Sequence, residues 1–348
     1  MVIARMRRLL PLAVVVLVGG HFLVWLWAER SLEAGFADWQ AGRRALGWTV
    51  TAGATSRRGW PLRAQLLVAD LALGGAPPAS PLRIGWSAER VLLDVALLHP
   101  RLLGVQASGQ QQFRIGTWAP IPFRADRSAI DIPLDPGTAP RVDLDIDHLR
   151  AGIPGADVPS ALTLARLQLH GETHPGAGQG EPALSLSLTA GDIDLPAANW
   201  AFGPRIASVL VEAVLNGPLP RAPSLAQRAA GWRDGGGTLE VQRLVIGWGP
   251  LGLSGSATVA LDEHMQPMGA ATGRFVGPAQ TLDALTVARV IGAGAALSAK
   301  AVLGLMTRVP DGGGTPEVEV PLTLQDRALA VGRIPLARLP ELVWPDGS

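Results

Sequence analysis

The chain has 348 residues, of which 48% are hydrophobic and 17% are charged. Its 30 basic and 29 acidic residues give a net charge of +1, so no overall positive field favours nucleic acid as a partner. Cysteine is absent, which excludes disulfides, thiolate zinc sites and cysteine nucleophiles. The length is compatible with one elongated β-rich domain or with two joined domains.

An uncharged apolar run at residues 9–28, LLPLAVVVLVGGHFLVWLWA, is long enough to cross a bilayer as a helix. Three arginines precede this run, whereas acidic and basic residues are mixed after it. The positive-inside rule therefore predicts a cytoplasmic basic tail at residues 1–8, a transmembrane helix at 9–28 and export of the remaining chain. A cleaved signal peptide is the alternative, but the run is longer than a usual signal core and ends without the small residues of a cleavage site. We favour an uncleaved anchor.

Residues 29–47 continue with apolar side chains at near-helical spacing, namely Leu32, Phe36, Trp39 and Leu46. This spacing predicts a juxtamembrane amphipathic helix.

Residues 48–348 are dominated by alternation of apolar and polar residues, clearest at residues 142–147 (VDLDID) and 184–189 (LSLSLT). A period of two predicts strands that bury one face. Further strands are predicted at 48–53, 62–73, 83–97, 101–115, 162–170, 206–216, 238–246, 251–261, 268–276 and 320–331. Their short, even spacing favours an antiparallel meander over βαβ units. The predicted fold class is mainly β with some α, as one large curved or sandwich-like sheet domain after the anchor.

A few helices are predicted in the C-terminal half of the chain. Ser224 is a candidate N-cap for a helix that stops at a run of three glycines beginning with Gly235. Two more helices are predicted at about 281–291 and 296–306. Loops at 133–140 and 174–182 are rich in proline and glycine, and either is a candidate domain boundary.

Several short strings follow one another in a particular order beyond the anchor: Gly59-Trp60-Pro61, Trp86-Ser87-Ala88, Gly236-Gly237-Thr238-Leu239, Trp248-Gly249-Pro250-Leu251, Leu261-Asp262, Gln266-Pro267, Pro321-Leu322-Thr323-Leu324 and Ile334-Pro335-Leu336. In this order they resemble domain-of-unknown-function family 2125, whose members are uncharacterised Gram-negative envelope proteins. The resemblance implies a bacterial inner-membrane anchor with the N-terminus in the cytoplasm and residues 48–348 in the periplasm. It implies no activity and no site residues. That family is in turn distantly similar to AsmA-type proteins, whose anchored, curved sheets are thought to hold or pass lipids.

Catalytic and metal-binding motifs are weak throughout the sequence. His170 and His174 do not form the His-Glu-x-x-His pattern of a zinc site, and Pro175 places them at a strand end. Asp143, Asp145 and Asp147 share one predicted strand face, which we interpret as a solvated polar face and not as an acid/base cluster. The glycine runs lack the Lys-Ser/Thr of a phosphate-binding loop. We predict no enzyme activity, metal or cofactor.

Five Gly-Trp pairs occur among the eleven tryptophans, at Gly47-Trp48, Gly59-Trp60, Gly85-Trp86, Gly231-Trp232 and Gly247-Trp248. Such rings can stack on a ligand, but glycine also lets a large ring fold over the backbone at sheet ends. We prefer the packing interpretation.

Two functions follow from this pattern. In the first, lipid or another hydrophobic ligand binds to, or passes along, an apolar sheet face lined by Leu144, Ile146, Leu184, Leu186 and Leu188. In the second, the domain is an envelope scaffold with a closed core. A periplasmic hydrolase ranks last. Apart from the inner membrane and lipid, protein partners are left open, as is the oligomeric state.

Overall fold

The computed structural model describes residues 2–76, 83–116, 118–135, 140–152, 161–196, 200–220, 222, 224–289, 292–294, 296–297, 300–301, 316–331 and 334–344, with side chains from residue 15 onward except those of 334–337. Within these ranges, one helix is long and apolar enough to cross a membrane.

That helix, α1, runs without a break from Val2 to Ala45. The predicted transmembrane and juxtamembrane helices are therefore one element, because no proline follows Pro11 before the helix ends near Gly47, and the helix continues through Gly35 and Gly42.

In the described ranges, seventeen strands follow and form one antiparallel sheet. They are β1 (Thr49–Thr51), β2 (Thr55–Arg58), β3 (Arg63–Gly75), β4 (Ile84–Ala96), β5 (His99–Ile115), β6 (Ile121–Arg124), β7 (Arg127–Pro133), β8 (Arg141–Gly152), β9 (Ala161–Thr173), β10 (Pro182–Asp194), β11 (Arg205–Asn216), β12 (Thr238–Trp248), β13 (Leu251–Leu261), β14 (Pro267–Val276), β15 (Glu317–Gln325), β16 (Ala328–Val331) and β17 (Ile334–Arg338).

The topology is the predicted meander, in which each strand pairs with its neighbours in sequence. Two positions in the sheet hold interrupted strands: β1 and β2 both pair with β3, and β6 and β7 both lie between β5 and β8. The ladder continues across both loops that were candidate domain boundaries, because β7 pairs with β8 and β9 pairs with β10. In the described part of the chain, β17 pairs with β16, and β1 and β2 pair with β3, but no register joins β17 to β1 or β2.

Some predicted elements differ from the structure. The segment 320–331 is a hairpin, since Asp326 and Arg327 form a turn with positive φ between β15 and β16. Strands β2, β6, β7 and β17 were not predicted. The helix expected at 296–306 falls mostly outside the described residues.

The ladder is irregular along one line that crosses the sheet from β3 to β11. The strand registers leave out one or more residues of each strand on this line, although the residues before and after them are paired. The residues left out include Asp70, Glu89, Gly109, Asp126, His148, Ala165, Asp192 and Ala207. Four of these residues have positive φ: Asp70, Gly109, His148 and Asp192. A positive φ departs from the extended backbone of a regular strand, so regular strand geometry is interrupted along this line.

The fully buried core lies where the C-terminal half of α1 covers the first strands. Leu66, Val68, Val91 and Leu93 form this core together with Val50, Leu71 and Ala88. Leu32 and Phe36 of α1 pack against it. Two of the four apolar residues predicted to mark the buried face of this segment thus pack on the core, whereas Trp39 is 36% exposed and Leu46 is 55% exposed.

Two short helices are described beyond β11. Helix α2 (Leu225–Asp234) begins as predicted, with the Ser224 hydroxyl accepting a hydrogen bond from the Gln227 N–H at 3.1 Å. Helix α3 spans Pro278–Val287, close to the predicted segment 281–291.

Candidate functional site: the apolar face of the sheet

The five residues proposed to line a ligand face lie together on one face of β8 and β10. Leu144 pairs with Leu169 of β9, and Leu169 pairs with Leu188. Ile146 lies on the same face of β8, two residues from Leu144, and Leu184 and Leu186 lie on the same face as Leu188 because strand side chains alternate. The structure thus brings all five to one surface.

This surface extends well beyond the five residues. Residues that are directly paired across an antiparallel ladder share a face, and one such row runs through Ile130, Leu144, Leu169, Leu188, Val211 and Leu244. A second row runs through Ile146, Leu167, Ala190, Val209 and Ile246. We call the surface that contains both rows the apolar face.

Among the described residues, the apolar face is buried at its N-terminal end and partly exposed in its middle. Under α1, Leu66 and Val68 on this face are 0% exposed. From β8 to β14, by contrast, Leu164 is the only large apolar side chain on this face that is buried among the described residues. Leu144, Leu186 and their neighbours are partly exposed. In the same stretch, the described helices touch the sheet at two places: the Trp232 indole of α2 donates to the Asn216 carbonyl at the end of β11, and α3 contacts β13.

The opposite face of β8 and β9 carries the three aspartates. Asp143 contacts the His170 ring, Asp145 accepts a hydrogen bond from the Gln168 amide at 3.0 Å, and Asp147 accepts one from Arg166 at 3.3 Å. Each acid is thus paired across the ladder on a polar face, as the alternation predicted. Farther along this face, the Arg205 guanidinium holds the pKa of Asp194 below its usual value.

The histidines of β9 and of the turn after it lie beside acidic side chains. His174 lies 3.6 Å from a Glu172 oxygen, and His170 contacts Asp143. No group of three histidine or acidic residues converges within the part of the chain that the structure describes. The prediction that no metal binds remains untested.

The Gly-Trp pairs mostly pack at strand ends, as the preferred interpretation held. The Trp232 N–H donates to the Asn216 carbonyl at 2.8 Å, and its ring lies on the Cα of Gly237. Trp248 donates to the Gly203 carbonyl at 2.8 Å. Trp60 is different, because it lies against α1 and is 44% exposed.

The apolar residues of β9, β11 and β12 were not singled out from the sequence. Leu167, Leu169, Val211 and Leu244 belong to the same face as the five predicted residues. Ala165 interrupts the alternation of β9, and aliphatic residues follow one another directly in β11 and β12, so the face that these residues share became clear only from the pairing register.

The fold and this face define a class of protein: an antiparallel meander whose first and last strands are not paired within the described residues, with an apolar face and an apolar helix long enough to span a bilayer. The chain belongs to the family DUF2125, described as an uncharacterized protein conserved in bacteria, whose family model matches residues 25–340. The resemblance seen in the sequence is thereby confirmed. No curated protein and no solved structure matches the chain.

Proposed function

We propose that this chain is a non-catalytic, single-pass protein of the bacterial inner membrane that binds lipid or another hydrophobic ligand along its apolar face. Helix α1 is the anchor, with residues 9–28 in the bilayer and the sheet in the periplasm. A ligand on the sheet either stays bound or moves along the face from strand to strand.

One observation carries the proposal: the same apolar face is buried under α1 and partly exposed from β8 to β14. Apolar surface in water costs about 25 cal/mol per Å². An acyl chain laid over Leu144, Leu169 and Leu188 would remove that cost, and it needs no polar partner.

The placement of the acidic side chains supports a binding role over a catalytic one. The acids of β8 are paired on the opposite face, away from the proposed ligand. The resemblance to AsmA-type proteins also favours lipid as the ligand class.

The first experiment is organic extraction of the full chain purified in mild detergent, followed by mass spectrometry. Lipid that surrounds α1 would also be extracted, so the test needs a comparison that leaves the anchor unchanged. Leu188 and Thr189 offer one, because they are adjacent on β10 and point to opposite faces.

Since the chain has no cysteine, a photoreactive maleimide can be attached to Leu188→Cys or to Thr189→Cys alone. After irradiation in native membranes, we expect lipid adducts at position 188 and few at position 189. Equal labelling at both positions, or none at either, would contradict lipid binding on the apolar face.

A further inference from the structure

A turn of the sheet lies against the segment of α1 that is predicted to be inside the bilayer. The turn is formed by residues 59–62, between β2 and β3. The His21 ring donates to the Pro61 carbonyl at 2.6 Å, and the Trp25 indole donates to the Arg63 carbonyl at 2.9 Å. His21 and Trp25 precede the predicted end of the span at residue 28 by seven and three residues, or about 5–10 Å along the helix.

Aromatic packing strengthens this attachment. The Trp60 ring lies 5.3 Å from the His21 ring, 5.5 Å from Phe22 and 5.6 Å from Trp25, measured between centroids. The turn therefore lies at the same level along the helix axis as His21, Phe22 and Trp25.

The tip of this turn and of the next one is apolar and exposed. Leu62 is 61% exposed and Leu98, in the turn between β4 and β5, is 81% exposed. The two turns are neighbours, since the Leu97 N–H donates to the Leu62 carbonyl at 3.0 Å. Residues 59–62 and 97–98 contain no charged side chain. We call the exposed residues Trp60, Leu62 and Leu98 the apolar rim.

An apolar pocket of about 640 Å³ lies along the helix beside Trp60. It is lined by Val15, Val18, Gly19, Phe22, Trp25 and Trp60. Such a pocket is unfavourable in water, whereas inside a bilayer an acyl chain fills it.

From these contacts we propose that the apolar rim is inserted in the leaflet on the sheet's side of the membrane, with lipid acyl chains as its partner. Interfacial tryptophan and apolar turn residues are suited to this boundary. The inference rests on the proposed anchoring of α1. It deepens the proposed function, because lipid could then reach the sheet from the bilayer without crossing water.

The test uses full-length single-cysteine variants carrying an environment-sensitive fluorophore, reconstituted in vesicles of phosphatidylethanolamine and phosphatidylglycerol. Labels are placed at Leu62→Cys and Leu98→Cys. The matched control is Trp118→Cys, which is 70% exposed and follows β5, the strand that Leu98 precedes. The 17 residues of β5 place Trp118 about 55 Å from Leu98 along the strand. Leu17→Cys reports separately on α1.

We expect lipids with spin-labelled acyl chains to quench the labels at 62, 98 and 17 several-fold more strongly than the label at 118. If the label at position 17 is quenched, but the labels at 62 and 98 are quenched no more strongly than the label at 118, the proposed insertion of the apolar rim is wrong. The proposed anchoring of α1 then still stands. If 17 is not quenched, the anchor fails and the rim falls with it.

Discussion

The Trp25 indole donates a hydrogen bond to the carbonyl oxygen of Arg63, 2.9 Å away, and so joins the apolar helix directly to the first long strand of the sheet. Four residues farther along the helix, a Glu29 oxygen accepts a hydrogen bond from the Gln65 N–H at 2.8 Å. Because the helix and β3 are joined by hydrogen bonds at successive positions, the orientation of β3 relative to α1 is fixed.

Membrane topology is the first prediction. A reporter that is active only outside the cytoplasm should work when fused after residue 60, because the basic residues before the apolar run stay on the cytoplasmic side. The mature protein should also keep its N-terminus. N-terminal sequencing that begins near residue 30 would instead show a cleaved signal.

The apolar face can be tested by introducing charge at Leu144, Ile146, Leu186 and Leu188. In a closed core, aspartate at these sites is buried without a partner and destabilises the fold by several kcal/mol. On an open face the carboxylate reaches water, so we expect at least one of the four variants to stay folded while losing co-purified lipid. Thermal unfolding and lipid content are measured side by side.

Two matched variants calibrate this experiment. Leu66→Asp lies on the same face under α1, where the side chain is 0% exposed, and should unfold. Ser187→Asp lies between Leu186 and Leu188 on the polar face and should keep both fold and lipid. If all four test variants unfold, or all four stay folded with unchanged lipid, a closed scaffold replaces the lipid-binding proposal.

Glu29 predicts a dependence of stability on pH. Its side chain is 0% exposed, and one of its carboxylate oxygens accepts no hydrogen bond from any described residue. Burial is the main cause that raises its pKa above the usual 4.5. The folded chain therefore holds this proton more tightly than the unfolded chain, so stability should fall as pH rises from 4.5 through the raised pKa.

Glu29→Gln keeps an acceptor for the Gln65 N–H and carries no charge. We expect this variant to lose the pH dependence in that window and to be at least as stable as the native chain above it, as measured by thermal unfolding. Glu33→Gln is the matched control one turn away, where the side chain is 42% exposed and pairs with Arg57. That control should change stability by less than about 1 kcal/mol. A native chain whose stability does not fall across the window would contradict the burial of ionisable Glu29.

The packing of Trp232 on Gly237 can be tested by adding one methyl group. In Gly237→Ala, the new Cβ would lie 2.3 Å from the Trp232 ring, so the ring must move and we expect a loss of about 1–3 kcal/mol. Gly171→Ala is the control, because nothing lies within 4 Å of its added Cβ. Equal denaturant midpoints for the two variants would show that Trp232 is not held in place.

Much of the fold could be predicted from the sequence because it depends on local periodicity. Alternation at 142–147 and 184–189 determined which residues share a face, and Ser224 determined where α2 begins. Strands β6 and β7 were missed because Pro122, Pro133 and a break at Asp126 interrupt the alternation. Strand β2 reads Thr-Ser-Arg-Arg and has no apolar residue to reveal it.

Tertiary structure decided what the sequence left open. Periodicity gives Leu66 and Leu186 the same pattern, yet the first is buried under α1 and the second is partly exposed. The difference arises because α1, which is distant in sequence from these strands, covers Leu66 and not Leu186. No local sequence pattern shows how many strands α1 covers. For the same reason, the contact of Trp60 with Phe22 and Trp25 could be found only from the folded chain.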